Sequence, residues 1–148
     1  MQGDPRVAQK EQAALFLLRV GLGFFLLLWS LDKFAEPETA VKIFQVFYKI
    51  PISARAAHVI GGIEGFISLL IIAGAWRSYT YAVGLALHGI STVASWRQLT
   101  TPFSQGHHLF IAAIPVLTGF IALYMMRDRD TLWAADCLPA LHIRHDTR

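Results

Sequence analysis

Charge is what this sequence has least of. Asp, Glu, Lys and Arg make up 16% of the 148 residues, against 55% hydrophobic. A soluble domain of this size carries about a quarter charged residues to solvate its surface. The mean hydropathy of +0.47 points the same way, so lipid is the expected solvent. Cysteine is nearly absent: Cys137 stands alone. That excludes an intramolecular disulfide, a CxxC pair, and thiol–disulfide exchange by this chain alone. A basic stripe is missing too. The formal charge is +3, but Lys and Arg stand singly at the ends of apolar runs, as topology signals do. No nucleic-acid partner is expected. Internal repeats and low-complexity segments are also lacking.

What is there is a set of four long apolar runs, at 13–31 and about 54–75, 79–96 and 108–126. Each has roughly 17–22 residues, enough at 1.5 Å rise per residue to cross a ~30 Å hydrocarbon core. The first lacks a small-x-small cleavage site and reads as an uncleaved helix. The expected fold is an all-α membrane protein, a four-transmembrane-helix bundle. It divides into a polar N-terminal segment (1–12), the bundle (13–126) and a polar C-terminal tail (127–148). Trp76, Arg77 and Ser78 alone join the second and third runs, which makes those helices antiparallel neighbours. Between the first two runs, Val41, Phe44, Phe47 and Tyr48 recur at helical spacing, with Lys42 and Lys49 elsewhere on the wheel. That is the pattern of an interfacial amphipathic segment. The stretch 97–107 is rich in turn residues and should be irregular. Pro115 should free the carbonyl of Ile111 and bend the fourth helix.

Arg6, Lys10, Arg77, Arg127, Arg129, Arg144 and Arg148 fall on the side of the termini, and Lys33, Lys42, Lys49, Arg55 and Arg97 on the other. Seven against five puts both termini in the cytoplasm by the positive-inside rule. Within the spans, ionisable groups are costly unless paired. Arg19, Glu64 and His88 sit at depths that agree within roughly 6 Å, so the three are expected to meet in one polar layer. On the third run, Tyr81, Gly84, His88, Ser91 or Thr92, and Ser95 form one polar stripe. On the first, Arg19, Gly23 and Ser30 share a face, with Lys33 just beyond. Gly61-x-x-x-Gly65 offers a surface for close helix contact.

A second cluster, Asp32, Lys33, His58, Arg97, His107 and His108, is expected at the opposite membrane face. With no HxxxH spacing and no companion cysteine, no metal site is expected. His58, His107 and His108 remain the less favoured haem ligands. Each feature also has a plain structural reading. Arg19 and Glu64 can be a register-fixing pair, His88 a hydrogen-bonded core side chain, and His107-His108 a solvated helix start.

Leu18-Arg19-Val20-Gly21-Leu22-Gly23, with Leu31-Asp32-Lys33-Phe34 after it, resembles the opening helix of the DoxX family of small four-helix integral membrane proteins. Ile60-Gly61-Gly62-Ile63-Glu64-Gly65, followed by Ala73-Gly74-Ala75-Trp76-Arg77, resembles its second helix. The likeness spans roughly 13–126 and puts Arg19, Lys33 and Glu64 at family-motif positions. His88, His107 and His108 match no motif, and the tail after Asp130 departs from the pattern. The resemblance implies a multi-pass protein of a bacterial or archaeal inner membrane, in a family associated with quinone-linked sulfur oxidation, terminal oxidases and thiol-stress complexes.

Two functions fit these residues. In the first, the chain is a subunit of a larger redox or quinone-linked membrane complex. Arg19 and His88 would donate to a quinone, Glu64 would carry protons, and Phe24, Phe25 and Phe66 would line its tail. No flavin, Fe–S or copper signature is present in the sequence, so electrons would come from a partner. In the second, the chain is a non-catalytic structural or assembly subunit that stabilises a cofactor-bearing membrane complex. Both make the lipid bilayer and other membrane subunits its partners. No catalytic residue is assigned, and quinone is the only cofactor the polar layer suggests. A solute carrier is disfavoured by the lack of an inverted repeat.

Overall fold

The computed structural model describes residues 4–138; Arg144, Arg148 and the rest of the expected tail beyond 138 lie outside them. The regular structure of the described residues is helical throughout, with no strand among them. Asp4 opens α1 (Pro5–Ala35) by accepting from the Arg6 N–H, with Pro5 pre-set for the first turn. A short α2 (Pro37–Ile43) runs into a single wide turn, Phe44–Tyr48, which Lys49 ends in the left-handed conformation. α3 (Ala54–Ala73) starts on a Ser53 cap and stops at Gly74. α4 (Arg77–Ala94) leads into α5 (Trp96–Thr100). A tight 3-10 turn, His108–Ala112, precedes α6 (Ala113–Met125).

Three of these helical segments, Pro5–Ala35, Ala54–Ala73 and His108–Met125, are long and apolar enough to cross a membrane. α4 is long enough at 18 residues but more polar. The stretch expected to be an amphipathic segment is helical, as α2 and its wide turn. The bend expected at Pro115 takes another form. The helix is 3-10 up to Ala112 and α-helical after it, which puts Pro115 in the first turn of α6, where its missing N–H has no intrahelical partner to lose.

Small residues set the central contact. α1 lies on α3 through Gly23 and Ser30 on one side and Gly61 and Gly65 on the other. A Cβ on Gly23 would sit 2.6 Å from Ile72, and one on Gly65 2.6 Å from the Ser30 hydroxyl. Ser30 Oγ donates to the Gly61 carbonyl at 2.7 Å. The Gly61/Gly65 face is therefore packing, as its spacing predicts. Leu22, Leu26, Ile71, Tyr81, Phe120 and Leu123 form the core. The polar stripe of α4 faces inward, with Tyr81, Gly84, His88, Thr92 and Ser95 all buried. Outward positions are apolar instead: Leu17, Phe24, Val59, Phe66, Ile90 and Ile121 are all exposed. Polar groups inside and apolar groups outside is the arrangement a lipid solvent requires.

Candidate functional site

The charged residues gather at the two ends of the bundle. At the end that holds the start of α1, the 74–77 turn and residues 127–138, Arg19 is fully buried and fully engaged. Its Nη1 donates to Asp130 Oδ1 at 2.9 Å, and both side chains are 0% exposed. Nε donates to the Ile72 carbonyl, and Nη2 to the carbonyls of Leu132 and Trp133. Tyr81 donates its hydroxyl to the other Asp130 oxygen at 2.5 Å. Around this pair, Gln12 accepts from the backbone N–H groups of Thr131 and Leu132 and donates to the Arg129 carbonyl. Arg77 donates to the carbonyls of Arg127 and Asp130. The chain after α6 is thus bound back across the end of the bundle by buried charge.

Gly74 and Trp76 both have positive φ in the turn between α3 and α4. A Cβ at Gly74 would lie 2.9 Å from the Arg19 guanidinium and from Ala134, so only glycine fits. Trp76 has no such licence, and its strained conformation is held by Asp136, which accepts from the N–H groups of Trp76 (2.8 Å) and Arg77 (3.0 Å). Burial alone would raise the Asp136 carboxyl. The two backbone N–H groups and the Arg77 guanidinium outweigh it and hold the group below the ordinary aspartate value. A carboxyl lowered in the folded state contributes stability that is complete above its unfolded value and is lost as pH falls through the folded one. The 131–138 segment is therefore expected to loosen below about pH 4. Trp133, edge-on to Phe16 at 5.1 Å, reports this as a fluorescence change. Asp136→Asn is expected to remove the acid step, and an unaltered transition in that variant would refute it.

The expected Arg19/Glu64/His88 layer does not form as a unit. Arg19 faces Ile72 across the antiparallel contact. Glu64 lies eight residues from Ile72 along α3, about 12 Å at the rise of an α-helix and beyond the reach of an arginine side chain. Glu64 instead pairs with Lys33, whose Nζ is 2.6 Å from Oε2. Lys33 was expected at the opposite membrane face with Asp32. Its side chain points back toward the helix N-terminus, where Nζ also donates to the Trp29 carbonyl one turn below. The Lys33–Glu64 pair therefore sits inside the bundle.

Asp32, Lys33, Glu64 and His88 line one cavity of about 350 Å³ at the end away from the Arg19 pair. Ser91 and Ser95 extend its polar side along α4. Phe25, Trp29, Phe44, Phe47, Tyr48 and Phe110 supply aromatic walls. The α2 segment covers it, closed by Phe47 against Phe110 at 5.7 Å. His88 Nε2 is 3.0 Å from the Ala113 carbonyl, and its ring meets Phe25 and Phe120. Of the aromatic residues expected along a ligand tail, Phe25 alone lines the cavity. Phe24 and Phe66 are exposed on the outer surface. His58 stacks on Phe34, His107 Nδ1 meets Thr101 Oγ1 at 3.0 Å, and His108 lies edge-on to Phe103. Among the described residues, no group of three or more His, Cys, Asp or Glu side chains is placed to hold a metal ion.

Sequence reasoning missed Asp130 and Asp136, and it placed Tyr81 on the polar stripe of α4 without finding its partner. The available signal was the charged stretch after the fourth run, where Asp128 and Asp130 are the first carboxylates that could turn back to a buried arginine. Compared with family models, curated proteins and solved structures, the chain finds no match. The DoxX likeness therefore rests on the two motifs alone.

Proposed function

We propose that this chain is a DoxX-like, four-span protein of a bacterial or archaeal inner membrane, and that its cavity holds an aromatic ligand of the quinone class. In this reading it serves as a subunit of a larger redox complex, with both termini in the cytoplasm. The single observation that carries the reading is the cavity's mixed lining. The Lys33–Glu64 pair and His88 line it together with six aromatic residues. A ring bearing two oxygens needs hydrogen-bonding groups and flat apolar walls, and 350 Å³ lies within the range of ligand pockets. α4 as a fourth span is supported by its outward residues Val83, Ala86, Ile90 and Val93, which are apolar, while its buried stripe is polar. Electrons would be supplied and withdrawn by partner subunits. Within this chain, Glu64 and His88 would hold and move protons, and the aromatic walls would exclude water. Arg19, bound to Asp130, is assigned to structure and not to the ligand.

The test uses purified protein in lipid nanodiscs titrated with a short-chain benzoquinone. Trp29, in the cavity wall, should be quenched saturably. Trp29→Phe should remove the saturable part, and Glu64→Gln and His88→Ala should abolish binding in protein that still assembles. Quenching that rises linearly in native and variant protein alike would overturn the reading. The assembly-subunit function would then stand, supported by the internally paired Arg19 end and tested by co-purification with a larger partner at fixed stoichiometry.

A further inference from the structure

The hydrogen-bonding groups around the cavity are unevenly committed. Most of its side-chain donors already have acceptors within the protein. Lys33 Nζ donates to Glu64 Oε2 and to the Trp29 carbonyl. Thr92 Oγ1 donates to the His88 carbonyl, and Ser95 Oγ to the carbonyls of Ser91 and Thr92. The partner of His88 Nε2 is the Ala113 carbonyl, which can only accept, so Nε2 carries the hydrogen. In the neutral ring, Nδ1 is then an acceptor.

The acceptors are the groups left over. Among the described residues, neither carboxylate oxygen of Asp32 has a hydrogen-bond donor, Glu64 uses one oxygen on Lys33 and keeps Oε1, and Nδ1 of His88 is likewise without a partner. Against these stand one remaining N–H of Lys33, the indole N–H of Trp29, and the hydroxyls of Ser91 and Tyr48, which can act either way. An oxidised quinone offers only acceptor carbonyls, which can meet the donors but leave Asp32, Glu64 Oε1 and His88 Nδ1 without a partner. A hydroquinone offers two phenolic O–H groups that donate to these acceptors and can still accept from the donors.

We infer that the cavity selects its ligand by hydrogen-bond polarity, binding the reduced hydroquinone in preference to the quinone. This deepens the function proposed above and rests on it. Mismatching a buried polar group is costly, so the preference should be about tenfold or more in affinity.

Anaerobic equilibrium dialysis of the nanodisc-embedded protein separates the possibilities. The probes are a short-chain benzoquinone, its hydroquinone, and the dimethyl ether of that hydroquinone, which keeps the ring but has no O–H. The hydroquinone should bind at least about tenfold tighter than either. Asp32→Asn breaks no hydrogen bond among the described residues and replaces a pure acceptor by a group that also donates. It should narrow the gap between hydroquinone and quinone. Equal or tighter binding of the quinone, or of the ether, would overturn the inference and leave the quinone-class function standing. A gap unchanged in Asp32→Asn would also overturn it. Failure of all three probes to bind would remove the function and the inference together.

Discussion

Asp130→Ala is expected to destabilise the protein by about 3–5 kcal/mol, the loss that follows when a buried ion pair keeps only one partner. Both side chains of the Arg19–Asp130 pair are fully buried, so no water replaces the missing carboxylate. The Tyr81 hydroxyl loses its acceptor at the same time, while Arg19 retains its backbone carbonyls. These soften the loss without neutralising the charge. Arg19→Met combined with Asp130→Leu and Tyr81→Phe should cost less than Asp130→Ala alone, because no buried charge is left over. Tyr81→Phe alone should cost about 1–3 kcal/mol through the unmet carboxylate oxygen. Helix content followed through denaturant unfolding in detergent measures all three. An Asp130→Ala protein that unfolds with the native profile would show that the pair does not hold the bundle. The cavity lies at the other end, so ligand binding should outlast the loosening of 131–138 in these variants.

The sequence showed which residues face inward much better than which of them meet. Helical periodicity placed Arg19, Gly23 and Ser30 on the buried face of α1, and the Tyr81–Gly84–His88 stripe on the buried face of α4. Both follow from the geometry of a single helix. The pairing of Arg19 with Glu64 failed for a different reason. Depths counted from estimated span ends carry an error of several residues at each end, and α1 in fact begins at Pro5 and ends at Ala35. Register between α1 and α3 is set by the close approach of Gly23, Ser30, Gly61 and Gly65, which slides Glu64 along to Lys33. The partner of Arg19 lies 111 residues away in a segment that follows the last span. No helical period reaches across that connection. Lys33 looked like a membrane-face residue because its Cα is near the helix end, while its side chain extends back along the helix. Two groups that seemed separate, Asp32 with Lys33 and Glu64 with His88, became one cavity through that single rotamer direction.

The strongest test of what the Lys33–Glu64 pair does comes from removing its members separately and together. Lys33→Met leaves the Glu64 carboxylate without its cation in a site that is mostly closed to water, with side-chain exposures of 11% and 19%. Partial access through the cavity lowers the cost below that of a fully enclosed pair, to about 1–3 kcal/mol. Lys33→Met with Glu64→Leu removes the stranded charge, and stability should recover to near the native level. Ligand binding should not recover, because both the proton-holding carboxylate and its cation are gone from the cavity wall. A purely structural pair predicts another pattern, with stability and binding falling and returning together. Unfolding measured beside ligand dialysis on the same three proteins distinguishes the two. A double variant that folds and still binds would assign Lys33 and Glu64 to architecture and leave Asp32 and His88 as the groups that touch the ligand.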